Sequence, residues 1–81
     1  MYNLYCRVYY STESVTITFD KNKVEYKHEL GFYRCGVEDL SYVLKRCGVE
    51  DSVEKADNLV MRMIGRITRG EEWNSAFELL K

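Results

Sequence analysis

The chain contains no proline, a single histidine, a single tryptophan, three cysteines and no long hydrophobic run. Each shortage narrows what it can be. Without proline, no polyproline segment or proline-fixed turn can organise the 81 residues, and the punctuation falls to glycine, asparagine, aspartate and serine. Three cysteines, an odd number with no tandem Cys-x-x-Cys, argue against a secreted disulfide scaffold and for a reducing cytosol. No stretch approaches the ~18 consecutive apolar residues of a membrane span, and no basic region followed by an apolar stretch opens the chain. The expectation is a soluble, cytoplasmic protein (of the host cell, if phage-encoded) that makes no use of a membrane. A formal charge of −1 removes any global attraction to nucleic acid or anionic lipid, so binding of either kind would need a local patch. Also missing are a phosphate-binding loop, a dinucleotide-binding glycine pattern, a Gly-x-Ser-x-Gly elbow and a His-Glu-x-x-His zinc motif. Any nucleophilic arrangement would have to enlist His28, the one imidazole. An enzyme is not expected, and no cofactor is implied.

What the chain does have is a globular balance: 46% hydrophobic and 31% charged residues, enough for one core and one domain over residues 1–81. Seven tyrosines, three phenylalanines and a tryptophan exceed what so small an interior can hold, so some rings belong at the surface.

The first thirty residues read with period two. Tyr2, Leu4, Cys6, Val8 and Tyr10 share one strand face, while Asn3, Tyr5, Arg7 and Tyr9 share the other. After a Ser11–Ser14 turn, Val15, Ile17 and Phe19 alternate with threonines in a second strand. Asp20-Lys21-Asn22-Lys23 supplies another turn, and Val24, Tyr26, His28 and Leu30 line a third strand. Phe32, Tyr33 and Arg34 suit a short fourth. From Leu40 the period becomes helical: Leu40, Val43, Leu44 and Cys47 on a short helix, then Val53, Ala56, Leu59, Val60, Met63, Ile64 and Ile67 on a long one from about Ser52 to Gly70. Glu71 and Glu72 would open a last helix lined by Trp73, Ala76, Phe77 and Leu80. The expected fold is α+β: a three- (or four-) stranded antiparallel meander followed by two to three α-helices packed on one of its faces.

One hexapeptide occurs twice. Arg34-Cys35-Gly36-Val37-Glu38-Asp39 returns as Arg46-Cys47-Gly48-Val49-Glu50-Asp51. As chemistry it suggests a metal or thiol site on Cys35 and Cys47, with Cys6 and His28 completing four zinc ligands, but the paired close spacings of zinc sites are missing. As punctuation it works better. Gly48 suits a left-handed helix end, Val37 and Val49 suit staples, and Asp51 with Glu54 has the spacing of a capping-box variant.

Two surfaces remain. Lys55, Asn58, Arg62, Arg66 and Arg69 form one acid-free stripe on the long helix, suited to a phosphate backbone or an acidic protein surface. Gly65, costly in mid-helix, would be explained there by close packing or a partner's approach. On the outer sheet face, Tyr5, Arg7 and Tyr9 are of the residue types enriched in binding hot spots. The alternative for that face is cover by the C-terminal helix.

Size and composition are similar to those of phage- or mobile-element-encoded inhibitors, anti-CRISPR-type proteins among them, an analogy of profile and not of sequence. The leading expectation is thus a non-enzymatic protein-binding or inhibitor protein that docks on a larger protein or ribonucleoprotein complex. The alternatives are a small nucleic-acid-binding module using the helix stripe and a metal- or thiol-dependent site. A homodimer would also bury surplus aromatic surface.

Overall fold

The computed structural model describes residues 3–73 and 75–81. Strands β1 (Tyr5–Tyr10) and β2 (Ser14–Asp20) form a hairpin, and β3 (Lys27–Glu29) and β4 (Phe32–Gly36) form a second. A 3₁₀ turn over Val37–Asp39 leads into α1 (Leu40–Arg46), followed by α2 (Ser52–Thr68) and a last strand, β5 (Ala76–Leu80). All five strands lie in one antiparallel sheet in the order β3-β4-β1-β2-β5. No helix among the described residues is long and apolar enough to cross a membrane.

The α+β class and the helices on one face agree with the sequence reading, but the sheet is not a meander. The β2–β3 connection begins with an Asx turn, in which the Asn22 amide donates to Asp20 Oδ1 at 2.9 Å. It then carries the chain past β1 and β4 to the far edge. β3 therefore pairs with β4, and β1 sits at the centre. Only three residues of the third apolar run are extended. Tyr26 and Leu30 are exposed, flanking the short edge strand on either side.

The larger correction is at the C-terminus, where a helix was expected and a strand is found. Trp73, Ala76, Phe77 and Leu80 keep helical spacing, yet Ala76–Leu80 also alternates. Phe77 and Leu79 are half-buried, while Ala76, Glu78 and Leu80 are exposed. A short apolar run satisfies both periods, and the choice is tertiary. Without β5, the outer edge of β2 would carry a row of unpaired amides and carbonyls. Pairing Ser14–Thr18 with Ala76–Leu80 satisfies them and sets Phe77 edge-on against Phe19 at 5.8 Å. The Lys81 amide and ammonium tie the end down, donating to the carbonyls of Glu13 (2.9 Å) and Ser11 (2.8 Å).

The core lies between one sheet face and the two helices. Cys6 and Val8 from β1, Val15, Ile17 and Phe19 from β2, and Tyr33 and Cys35 from β4 meet Leu40, Val43 and Leu44 of α1 and Ala56, Leu59 and Met63 of α2. Leu4 joins them; Tyr2, expected on the same face, lies outside the described residues. Val53, expected in the α2 stripe, is instead exposed near the start of the helix.

Both helices stop in the same way. Gly48 and Gly70 take positive φ, +88° and +80°. Val49 N–H bonds back to the Leu44 carbonyl and Glu71 N–H to that of Arg66, while Gly48 and Gly70 bond to Lys45 and Ile67. These are paired Schellman closures. Opposite them, the expected side-chain caps do not form. Neither the Asp39 nor the Asp51 side chain bonds the helix it precedes, although the Asp51 carbonyl accepts from the Lys55 amide at 2.9 Å, and Asp51 itself adopts a left-handed conformation with φ 52°. The repeated hexapeptide thus has two structures: strand into 3₁₀ turn in its first copy, helix end into helix start in its second.

Candidate docking face

Strand alternation puts every second residue of the sheet on the face away from the helices, and among the described residues no element packs over it. The C-terminal segment, expected as a helix that could cover this face, widens it as β5 instead. The strand register arranges it in rows. One row runs Lys27, Arg34, Arg7, Thr18, Ala76. The next runs Glu29, Phe32, Tyr9, Thr16, Glu78. A third holds Tyr5 opposite Asp20.

Aromatic and cationic groups fill the middle of this surface. Tyr9 is half exposed, and its ring centroid lies 4.7 Å from that of Phe32. The Arg34 guanidinium carbon stands 5.6 Å from the Phe32 centroid, over the ring, a cation–π contact of about 0.5–1 kcal/mol at a site this open. Arg7 and Arg34 are direct cross-strand partners, and like charges in that position are destabilising. The compensation is thin. Arg7 reaches Asp20 only at 3.7 Å, and Lys27, next in the row, is taken up by Glu29 at 2.7 Å. The Nε atoms of both Arg7 and Arg34 are shut off from solvent and find no acceptor. A buried donor left unmade costs about 1–3 kcal/mol.

Sequence alternation located Tyr5, Arg7 and Tyr9 on this face, and they lie there, neighbours along β1. It missed that Phe32 and Arg34 would join them. The available signal was the alternation of Phe32 and Arg34 with the buried Tyr33 and Cys35, which marks β4 as a strand with one wet face.

The helix stripe is different from its projection. Lys55 is half-buried, Asn58 is exposed, and Arg62 folds over the Phe77 ring at 5.0 Å. No acid of α2 interrupts the stripe, but the turn after the helix brings one to it. The Schellman closure places Glu71 against both Arg66 (3.7 Å) and Arg69 (2.8 Å). With Phe77, these arginines and Gly65 line a cleft of about 250 Å³. A Cβ at Gly65 would meet only the tip of Arg69, at 3.4 Å, so the packing reason expected for that glycine is not found in the folded chain.

The thiols are core groups. Cys6 and Cys35 face each other across β1 and β4, both fully buried and unpaired by disulfide. A hydrogen bond with Cys35 and then burial push the Cys6 thiol far above its ordinary range; burial also raises that of Cys47. Such thiols stay protonated and are poor nucleophiles. Among the described residues no three His, Cys, Asp or Glu side chains gather as a metal site. His28, placed by alternation on the apolar face of the third strand with Val24, Tyr26 and Leu30, is exposed. It stands on the exposed edge strand, stacked on Tyr33 at 4.3 Å with Nε2 3.3 Å from the Tyr10 hydroxyl. Arg46, preceding the second hexapeptide glycine, turns its guanidinium to Tyr33, whose hydrogen bond raises its pKa further.

A broad groove of about 930 Å³ at the α1–α2 junction is lined by Glu50, Asp51, Glu54 and Asp57 around Val49 and Val53. It is open acidic surface, without a convergent set of polar groups that would fix a small ligand. No protein-family model matches this chain, no curated protein matches it in sequence, and no solved structure matches it in fold.

Proposed function

We propose that this protein is a non-enzymatic binding protein that docks through the open face of its sheet onto a partner protein, and that it acts by occupying the partner's surface. The observation that carries this reading is the uncovered central patch of Tyr5, Tyr9 and Phe32 around Arg7 and Arg34. Cross-strand pairing accounts for the Tyr9–Phe32 contact, but on a wet face where threonine would suffice for strand propensity it gives no reason for two arginines in register beside it. At interfaces the same types anchor affinity, because tyrosine and arginine offer large contact area together with polar reach. The patch is mounted on two inner strands, β1 and β4, so the anchors are held by a rigid scaffold with little left to order on binding. A small chain that blocks a larger complex would work in this way.

The alternative, phosphate binding by the α2 stripe, has less in its favour, because Glu71 occupies two of the three arginines and Arg62 lies over Phe77.

The test is a comparison of variants in capture from the native host. Tyr9→Ala should lower retention of the captured partner about thirtyfold, the effect of losing a hot spot near 2 kcal/mol. Arg62→Ala together with Arg69→Ala should leave retention unchanged. Equal retention by Tyr9→Ala and the parent, or loss confined to the helix variant, would remove the sheet face from consideration.

A further inference from the structure

The docking face carries two guanidinium groups whose Nε donors the fold leaves without acceptors. Arg7 and Arg34 are opposed in register at the centre of the sheet. Asp20 stands 3.7 Å from Arg7, Glu29 acts on Arg34 from the neighbouring row while bonded to Lys27, and both Nε donors are enclosed without an acceptor. Arginine forks of this kind match planar anions by paired, charge-assisted hydrogen bonds. Resting on the docking reading above, we infer that Arg7 and Arg34 form a carboxylate-recognition site for an acidic side chain of the partner protein. A carboxylate set between the two guanidinium groups accepts from their outward N–H groups and cancels their mutual repulsion.

Charge layout selects the class of anion. The cations form a single row across the strands rather than a track along them. The neighbouring row ends in Glu29 and Glu78, and Asp20 stands in the row on the other side. A nucleic-acid strand brings a regular series of phosphates and would meet these acids whichever way it crossed the sheet. One or two carboxylates on an otherwise apolar protein surface meet the arginines in the middle with the Tyr9 and Phe32 rings beside them, and leave Glu29 and Glu78 at the ends of the neighbouring row. Complementarity of this mixed kind sets partner choice and register.

The experiment is a binding and NMR titration with three probes: a short peptide alternating glutamate and leucine, its glutamine counterpart, and single-stranded oligothymidylate. The glutamate peptide should bind and shift the Nε–Hε signals of Arg7 and Arg34, and the glutamine peptide should not. Arg7→Gln and Arg34→Gln should each weaken binding at least about tenfold, with the backbone spectrum of each variant confirming an intact sheet. The inference falls if the glutamate peptide fails to bind, if its glutamine counterpart binds equally, or if the shifts map elsewhere. Tighter binding of the oligonucleotide at the same arginines would replace it with phosphate recognition. Self-association that the Arg7→Gln change abolishes would replace it with contact between copies. Should both arginine variants keep full partner capture while Tyr9→Ala loses it, docking through this face stands and carboxylate recognition alone is refuted.

Discussion

Replacing Arg34 by methionine should make the unbound protein more stable. Methionine keeps an unbranched stem over the strand and discards the charge and the donors. The change removes a like-charge cross-strand opposition with Arg7, worth about 0.2–1 kcal/mol. It also removes an enclosed Nε without an acceptor, worth about 1–3 kcal/mol. Against this stands the cation–π contact with Phe32 at 5.6 Å, about 0.5–1 kcal/mol. The balance favours the variant, by about 1 kcal/mol when the donor is taken near its lower bound, so Tm should rise about 4–8 °C in a domain of this size. Thermal and urea melts followed by circular dichroism measure it. Added salt should narrow the difference, since screening relieves the repulsion in the parent. Arg7→Met combined with Arg34→Met should gain less than the two single changes together, because the repulsion can be removed only once. A loss of more than about 1 kcal/mol in Arg34→Met would show that the arginine serves the fold, and the reasoning for the site would fail with it.

Two further outcomes test the framework that holds the face. Gly48→Ala must place a side chain at φ +88° and should cost about 1 kcal/mol, read as a Tm lowered by about 4–8 °C; an unchanged Tm would mean that the α1 closure contributes nothing. Alkaline pH probes the thiol pair. The Cys6 pKa is raised on folding, so its contribution to stability is complete below the ordinary thiol value of 9.0 and is lost as pH rises above it, where only the unfolded chain ionises. The limiting slope is about 1.4 kcal/mol per pH unit for one thiol. Urea midpoints of Cys6→Ala should therefore fall less steeply than the parent's in that range, and parallel curves would refute the assignment.

The helices were legible because their punctuation and their periodicity agree. Leu40, Val43 and Leu44 mark the buried side of α1, and Gly48 and Gly70 stand where the closures need them. Strand identity was legible wherever one face is buried, as in Cys6 and Val8 or Val15, Ile17 and Phe19. Strand order was not. Nothing local to Asp20–Tyr26 says whether the chain will turn back beside β2 or cross to the other edge, since the outcome depends on which edge best satisfies β4 and β5. The same dependence hid β5. Ala76–Leu80 fits two periods, and only the open edge of β2 decides between them. Residues whose state is set by distant backbone pairing lie beyond a one-dimensional pattern.

The repeated hexapeptide shows how the same limit applies to the candidate site. Arg34 and Arg46 occupy the same letter of the same six-residue word. Arg46 ends a helix, is exposed, and gives its guanidinium to a tyrosine. Arg34 sits in the middle of a sheet, opposite another arginine and half-buried, with its Nε enclosed. Nothing in the local sequence separates the two, so local sequence is not the source of the site. What makes Arg34 chemically unusual is the pairing of β4 with β1, a contact between residues far apart in the chain. A change that keeps both arginines but shifts this register by one residue would move Arg34 to the helix side and leave Arg7 alone. Recognition on this face is therefore a property of strand registration, and it should be lost on inserting one residue between Phe32 and Arg34, inside β4, even where the composition of the patch is untouched.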